Sequence, residues 1–270
     1  FIFRLKEEIM NLIKRLLNEK KQLIPYFTYG DPKVHFTEAL VSKCFDSGID
    51  IIELGLPFSD PIADGPVIQA SHHRALENNP ELNILDALKM VARLKTKHPK
   101  KALIFMGSVN LVLNYGVKKF FIDAKKHKLD GIIIPDLPPE EGEIYITNAK
   151  NNSIDLIFLA SPLTSDKRLK VIAKASSGFV YLISSTGTTG ARSSISKDLA
   201  RFVKKIKSYK DIPVAVGFGI SKKEHLDLVF GFADGGIVGS LLVDKISDSC
   251  KSKDAQIKII QQTINYIQNG

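Results

Sequence analysis

An apolar run leads directly into an acidic, proline-rich loop in Ile49-Asp-Ile-Ile-Glu53-Leu-Gly-Leu-Pro-Phe-Ser-Asp60-Pro-Ile-Ala-Asp64-Gly-Pro66. Residues 49–54 predict a buried strand, and the prolines and glycines that follow argue against an immediate helix. Glu53 would then stand at the carboxyl end of that strand. Because a carboxylate among apolar residues is costly without a partner or a task, Glu53 is a candidate catalytic residue.

Seven further runs along the chain share this short, apolar, β-branched character. With Ile49–Leu54 the predicted strands are Leu23–Phe27, Ala102–Met106, Gly131–Ile134, Leu156–Leu159, Phe179–Ile183, Val214–Val216 and Gly236–Val238. Between them lie segments in which apolar residues return every three or four positions, typical of helices. These are Phe36–Phe45, Ile84–Leu94, Val117–Lys126, Asp166–Ala175 and Leu199–Ile206.

Eight strands that alternate with helices predict a parallel sheet closed into a (β/α)₈ TIM barrel. The chain has 270 residues, near the roughly 250 typical of one such barrel, so we expect a single domain over 1–270. A doubly wound open sheet is the structural alternative. An extra amphipathic helix is expected at Ile9–Leu17, before the first strand, and a last outer helix at Ile257–Ile267.

The composition favours a cytoplasmic protein with no membrane or nucleic-acid partner. No apolar run approaches the ~20 residues of a membrane span, and charge interrupts the opening residues too early for a signal peptide. The first residue is not Met, so the natural start is expected upstream. The net charge is +9, but the lysine pairs are scattered over different predicted helices without interleaved aromatic residues, which argues against nucleic acid. With two cysteines, Cys44 in a helical core position and Cys250 in a polar segment, a reducing compartment is expected.

Barrel enzymes carry their sites at the carboxyl ends of the strands. The residues expected there are Tyr26, Glu53, Met106, Asp136, Ser161, Ser184, Gly219 and Ser240. They include no lysine, which argues against a Schiff base, and no histidine, which argues against a catalytic metal. His72 and His73 are consecutive, so on a helix they would face different sides and make a poor metal site.

Carboxyl acid–base catalysis is the chemistry that these strand ends leave open. Enclosure by Ile51 and Leu54 should raise the pKa of Glu53 towards neutrality, which suits a general acid. Asp64, between Ala63 and Gly65, is expected to be more exposed and to stay ionised. Structural roles remain open as well, namely hydrogen bonding for Glu53 and turn formation for Asp60 and Asp64.

Glycines follow the seventh and eighth predicted strands, where barrels often bind phosphate. Gly217-Phe-Gly219 and Gly239-Ser240 stand at these two places, and Gly190 closes the long loop after strand six. Backbone N–H groups can approach phosphate oxygens closely where no Cβ intervenes. The residues themselves therefore indicate a phosphorylated substrate and a proton-transfer reaction, such as enolisation or retro-aldol cleavage. They do not identify the substrate.

The chain resembles the tryptophan synthase alpha subunit in the Glu53–Pro66 signature and in five further motifs. In family order these are Tyr29-Gly-Asp-Pro32, Pro135-Asp-Leu-Pro138, Gly187-Thr-Thr-Gly190, Gly217-Phe-Gly-Ile220 and Gly239-Ser240. The resemblance implies cleavage of indole-3-glycerol phosphate to indole and glyceraldehyde 3-phosphate. It also implies an α2β2 heterotetramer with a beta subunit that carries pyridoxal phosphate, and no cofactor in this chain.

The resemblance also implies roles for individual residues. Glu53 would protonate indole C3 and help move the glycerol hydroxyl proton, Asp64 would stabilise the ring nitrogen, and Tyr181 would lie near the substrate. Phe218 would contact the indole and Thr189 would meet Asp64 on loop closure. Phosphate binding falls to Gly190, Gly219, Gly239 and Ser240, and the beta-subunit interface to Pro57, Asp60, Asn110 and Pro138.

Two positions depart from the family pattern. Ser108 stands where the family usually has an aromatic residue, and Ser185 where the sixth loop often has arginine or a bulky residue; both changes could enlarge the pocket or loosen loop closure. One alternative function is therefore a weakly active alpha subunit kept to activate its beta partner. Another is a different phosphosugar barrel enzyme, which would usually show a metal-binding histidine set or a catalytic lysine.

Overall fold

The computed structural model describes residues 11–61, 64–183, 192–217, 219–247 and 252–270, with the backbone alone for 192–197 and 247. Within these ranges the strands are β1 (Gln22–Thr28), β2 (Ile51–Gly55), β3 (Ala102–Met106), β4 (Gly131–Ile133), β5 (Asp155–Ile157), β6 (Leu159–Ala160), β7 (Val180–Ile183), β8 (Val214–Gly217) and β9 (Gly235–Val238). The helices are α1 (Leu12–Glu19), α2 (Val34–Asp46), α3 (Pro66–Asn78), α4 (Ile84–Lys97), α5 (Val109–Tyr115), α6 (Val117–Lys126), α7 (Glu143–Asn152), α8 (Asp166–Ala175), α9 (Arg192–Tyr209), α10 (Lys223–Phe230), α11 (Ser240–Ser247) and α12 (Lys253–Asn269). A 3₁₀ turn covers Pro139–Glu141.

All strand pairings are parallel, in the order β5-β4-β3-β2-β1-β9-β8-β7-β6. β5 and β6 are two halves of one strand, interrupted at Phe158. The first half pairs with β4 and the second with β7, and the Phe158 carbonyl accepts a hydrogen bond from Tyr181 N–H. The ring therefore passes through this strand, and the predicted eight-unit TIM barrel is confirmed rather than the open sheet.

Two apolar layers hold the barrel together. The larger layer lies between the sheet and the outer helices and includes Phe27, Phe105 and Phe120. The smaller one fills the barrel interior, where Ile24, Ile51 and other inward residues of the strands meet. Alternate residues of a strand point to opposite faces, so each strand feeds both layers.

Helix α1 closes the amino end of the barrel. Its buried residues Ile13, Leu16 and Leu17 belong to the interior cluster. The predicted amino-terminal helix is thus present, but it continues to Glu19 rather than ending at Leu17. Residues 9 and 10 of that prediction lie outside the described part of the chain.

Helix α3 is fixed to the β1–α2 loop by three polar side chains. The hydroxyl groups of Ser71 and Thr28 lie 2.5 Å apart and are both fully buried. Arg74 donates to both carboxylate oxygens of Asp31, at 3.0 and 2.7 Å. Asn79, just beyond the helix, donates to the Gly30 carbonyl at 2.8 Å. These contacts set where the α3 side chains meet the mouth of the barrel.

Cys44 is a buried free thiol in the outer apolar layer, as predicted, whereas Cys250 lies outside the described ranges. Across the residues that can be described, none of the helices has the length and apolar character that crossing a bilayer requires.

Candidate active site

The two-residue period of the strands places Glu53 inside the barrel mouth. On β2, Ile51 points into the interior layer, so Glu53 points the same way one step closer to the carboxyl end. The same alternation puts Tyr26 above Ile24 on β1, where Tyr26 is the register partner of Glu53. On β7, Tyr181 follows Phe179 into this layer. The mouth is therefore lined by a carboxyl group and two phenols.

Glu53 is enclosed almost completely. Only 1% of the residue is exposed, and neither carboxyl oxygen has a hydrogen-bond partner among the described residues. Burial, and then the nearby charge of Asp64, raise the pKa of Glu53 to about 8. The predicted direction of the shift is the one found, and Glu53 is a protonated acid at neutral pH.

Asp64 lies on the β2–α3 loop, whose backbone is held by Gln69. The Gln69 amide donates to the carbonyl of Asp64 at 2.8 Å and to that of Pro61 at 3.4 Å. The Asp64 side chain is 19% exposed, more than Glu53 as predicted. Burial nevertheless raises the pKa of Asp64 to about 6, so it is less fully ionised than the expectation of an exposed loop aspartate implied.

Glycines on neighbouring strands leave room for both phenols. An alanine Cβ at Gly55 of β2 would come 1.9 Å from the Tyr26 hydroxyl, and one at Gly217 of β8 would come 2.9 Å from that of Tyr181. Each glycine lies two residues beyond the register partner of its tyrosine. The missing side chains thus position Tyr26 and Tyr181, and burial raises the pKa of both phenols well above their ordinary value.

The far side of the mouth is formed by glycine and a helix start. Gly219 follows β8 with φ +59°, a conformation that residues other than glycine rarely adopt, and no atom of the described residues lies within 4 Å of the space that a Cβ would occupy. Gly239 follows β9, and α11 begins at Ser240. The N–H groups at a helix start attract anions. The predicted Thr189, Gly190 and Phe218 lie outside the described residues, as does Ser185.

One cavity of about 520 Å³ brings the predicted groups together. Its lining includes Glu53, Asp64, Tyr181, Gly219, Gly239 and Ser240. A second cavity of about 420 Å³ adjoins it, since both are lined by Tyr26, Asp64 and Met106. Neither lining contains a lysine or arginine among the described residues. In the same ranges no group of three or more His, Cys, Asp or Glu side chains is placed to hold a metal ion.

Two residues of the site, Tyr26 and His72, were given no catalytic or binding role from the sequence. The Tyr26 hydroxyl lies 3.3 Å from His72 Nε2, and that nitrogen lies 3.6 Å from Asp64 Oδ2. His72 is buried and His73 exposed, so the expectation that they face different sides of a helix is correct. The position of Tyr26 at the end of the first predicted strand was a signal for that residue, but nothing in the sequence pairs position 72 with position 26.

Comparison with known proteins agrees with this geometry. The family model described as tryptophan synthase alpha chain matches residues 13–269. The chain belongs to the tryptophan synthase alpha chain family.

Known relatives align with most of the chain. The tryptophan synthase alpha chain of Halalkalibacterium halodurans is 39% identical over 258 residues, which is 93% of this chain and 96% of that protein. The tryptophan synthase of Saccharomyces cerevisiae is 40% identical over 94% of this chain, but the chain spans only 36% of the yeast protein. A solved structure of the tryptophan synthase α2β2 complex from Pyrococcus furiosus superposes with a TM-score of 0.83 at 38% identity, covering 92% of this chain and 98% of that one.

Ser108, a departure from the usual pattern of the tryptophan synthase alpha chain family, lines the second cavity and caps α5. Its hydroxyl donates to Asp136 Oδ2 at 2.7 Å, and the Val109 N–H donates to Asp136 Oδ1 at 2.8 Å. Asp136 thus ties the β3–α5 loop to the loop after β4, which favours a structural role over a chemical one. The small side chain at 108 leaves cavity volume that an aromatic ring would occupy.

The four positions that the family resemblance assigned to a beta-subunit interface all lie in loops or at a helix start on the carboxyl face of the barrel. Asp60 and Asn110 are exposed and line the second cavity. Pro57 is half-buried beside a separate groove, and Pro138 is half-buried next to the 3₁₀ turn.

Proposed function

We propose that this chain cleaves indole-3-glycerol phosphate to indole and glyceraldehyde 3-phosphate as a tryptophan synthase alpha chain. The observation that carries the proposal is the shared cavity, in which the buried Glu53 carboxyl faces the same space as Asp64 and the Gly219, Gly239 and Ser240 rim. A phosphate on that rim would place the rest of a small substrate against the two acids. Membership of the family supplies the substrate.

Glu53 is proposed to act first as acid and then as base. Its protonated carboxyl donates to indole C3, and the ring nitrogen becomes an iminium whose positive charge the Asp64 carboxylate stabilises. The Glu53 carboxylate then takes the proton of the glycerol hydroxyl next to the ring. As the carbon–carbon bond breaks, its electrons return to the iminium, and indole and the aldehyde leave with Glu53 protonated again. A pKa near 8 suits both proton transfers.

The remaining roles follow the same arrangement. Tyr181 contacts the substrate from β7, and phosphate binds to the backbone at Gly219, Gly239 and Ser240 together with Gly190. Phe218 contacts the indole, and Thr189 meets Asp64 on loop closure. Of these residues, Gly190, Thr189 and Phe218 lie outside the described ranges. Pro57, Asp60, Asn110 and Pro138 form part of the contact with a beta subunit in an α2β2 complex. We propose that the chain needs no cofactor of its own, that pyridoxal phosphate belongs to the beta subunit, and that the enzyme works in the cytoplasm.

The test is indole release by Glu53→Gln, measured for the isolated chain and with a beta subunit. Acid–base catalysis typically contributes about 10²–10⁴-fold, so we expect kcat to fall by about 10³-fold with folding and beta binding retained. Glu77→Gln, on the exposed surface of α3, is the matched control and should keep the parent rate. In the parent chain, kcat/KM should be bell-shaped, limited by Asp64 near pH 6 and Glu53 near pH 8. Cleavage by Glu53→Gln at the parent rate would refute the assignment.

A further inference from the structure

The imidazole ring of His72 is fixed in one orientation between the loop and the barrel mouth. His72 is 4% exposed, and the Phe58 backbone N–H donates to its Nδ1 at 3.0 Å. Because Nδ1 accepts a hydrogen bond, the proton of the neutral ring is on Nε2. That nitrogen points to Tyr26 Oη at 3.3 Å and Asp64 Oδ2 at 3.6 Å.

The ring stays uncharged in this environment. Burial, and then the charge of the adjacent His73, lower the pKa of His72 to about 4. Within the described parts of the chain, His72 is the one basic side chain paired with the Asp64 carboxylate. A neutral N–H donor can hold a carboxylate in place without supplying a positive charge that would compete with a cationic ligand.

The helix around His72 is held by hydrogen bonds to the barrel and to the loop that carries Asp64. Ser71 is bound to Thr28 of β1, and Arg74 holds Asp31 through two hydrogen bonds. The β2–α3 loop returns to this same helix through Phe58 and Gln69. His72 is therefore anchored by the barrel on one side and by the loop that carries Asp64 on the other.

We propose that His72 is a positioning residue for Asp64: its Nε2–H, for which the Tyr26 hydroxyl oxygen of β1 is one acceptor, also faces the Asp64 carboxylate and orients it towards the shared cavity. The separation of 3.6 Å exceeds hydrogen-bond length, and a small rotation of the Asp64 side chain closes it. The inference rests on the proposed function, since it assigns Asp64 its chemical task.

Other ionisable groups face this pair and must be held constant in any titration. They are Glu53 from β2, Tyr26 from β1, Tyr181 from β7, His73 on α3, and Asp60 and Asp136 around the second cavity. All of these groups are retained in the variants below, except that the control His73→Asn replaces His73.

Two substitutions separate the two nitrogens of the ring. His72→Asn keeps an acceptor at the place of Nδ1 for the Phe58 N–H and loses the donor at Nε2. His72→Gln does the reverse, because its amide nitrogen reaches the Nε2 position. His73→Asn changes the exposed neighbour on the same helix and serves as the matched control.

We expect His72→Asn to lower kcat/KM for indole release by about tenfold, the effect of losing one hydrogen bond to a charged group. Without the donor the Asp64 carboxylate is less stable, so its pKa rises and the acid limb of the pH profile moves to higher pH. His72→Gln should restore both the rate and the limb to near the parent values. His73→Asn should leave the parent rate unchanged.

The inference is overturned if His72→Asn keeps the parent rate and acid limb. It is also overturned if His72→Asn and His72→Gln lose rate equally with the limb unmoved, because the ring would then matter only as a loop anchor. A ¹³C NMR titration of the Asp64 carboxyl, assigned with Asp64→Asn, reads the same pKa without turnover. An inactive parent chain in which His72→Asn still raises that pKa would refute the proposed function and leave the positioning role intact.

Discussion

At the scale of single residues, Glu53 destabilises the folded protein at neutral pH. Its pKa is about 8 when folded and near 4.5 when unfolded, so between these values the folded state holds a proton that the unfolded state has released. The free energy of unfolding therefore falls as pH rises through this window. At pH 7 the difference is on the order of 3 kcal/mol.

Glu53→Gln should accordingly stabilise the protein at pH 7–8 and have little effect at pH 4, where both side chains are neutral. Urea unfolding at several pH values measures this, with Glu77→Gln as the exposed control. A Glu53→Gln increment that is independent of pH would show that the carboxyl is not the buried acid described here.

The sequence was sufficient to predict site residues whose position is set by a single strand. It did not predict contacts between residues that two different elements bring together. Glu53 follows from an apolar run and a two-residue period. The ring of His72 meets Tyr26 across 46 positions of the chain, and only the packing of α3 against β1 brings them together. The raised pKa of Asp64 likewise depends on enclosure by neighbours that its loop sequence does not reveal.

At the scale of elements, the contact between β1 and β2 depends on the absence of a side chain at Gly55. A Cβ there would lie 1.9 Å from the Tyr26 hydroxyl, so the ring of Tyr26 must leave its place and its contact with His72 is lost. We expect Gly55→Ala to cost about 1–3 kcal/mol of stability through overpacking and to reduce indole release. Thermal unfolding and the indole assay measure the two effects.

Gly65→Ala is the stability control for that substitution. Its φ is −76°, and within the described ranges no atom lies within 4 Å of the added Cβ, so the melting temperature should stay close to that of the parent. Combining Gly55→Ala with Tyr26→Phe, which removes the clashing hydroxyl, should recover part of the lost stability. Equal melting temperatures for Gly55→Ala and the parent chain would contradict the packing described for Tyr26.

Helix length alone does not separate the predicted helices from the missed ones, because α6 with ten residues was predicted and α3 with 13 was not. α6 and α8 have the predicted bounds, and α2, α4 and α12 extend a few residues beyond the predicted ones. α9 begins seven residues before and ends three residues after its predicted bounds. The sequence did not single out α3, α5, α7, α10 and α11. α3 begins with proline, which suits a first helical turn but reads as a loop residue. α5 has seven residues and α11 eight, so few apolar positions mark their faces.

At the scale of the whole molecule, the stability of the barrel depends on α1, which closes its amino end. Ile13 is fully buried and lies close enough to β4 that a Cβ at Gly131 would come 2.9 Å from its side chain. Ile13→Ala should therefore lower the free energy of unfolding by about 2–5 kcal/mol. Because Glu53 lies two residues further towards the carboxyl end of β2 than Ile51, which belongs to the interior layer that α1 packs against, kcat/KM for indole release should change little. Chemical denaturation and steady-state kinetics on one preparation test both statements.

Glu19→Ala on the same helix is the control, since its 3.8 Å contact with Arg15 is exposed and should be worth well under 1 kcal/mol. If Ile13→Ala lost activity in proportion to its loss of stability, α1 would also determine the geometry of the active-site end of the barrel.

The barrel architecture was predictable from the eight apolar runs that mark its strands. For the closure of the amino end by α1, the sequence offered only the apolar face of that helix. The assignment of residues 1–270 to a single domain remains a prediction.

Among the described residues, the barrel interior is closed at one end and open at the other. Ile13, Leu16 and Leu17 fill the amino end, so in this part of the chain the path to Glu53 runs through the carboxyl face. One reactant enters and two products depart through that opening, so a retained product blocks the next turnover. A protein bound over the carboxyl face would then affect both substrate entry and product release. The order of product release would accordingly be a property of the complex rather than of the isolated chain.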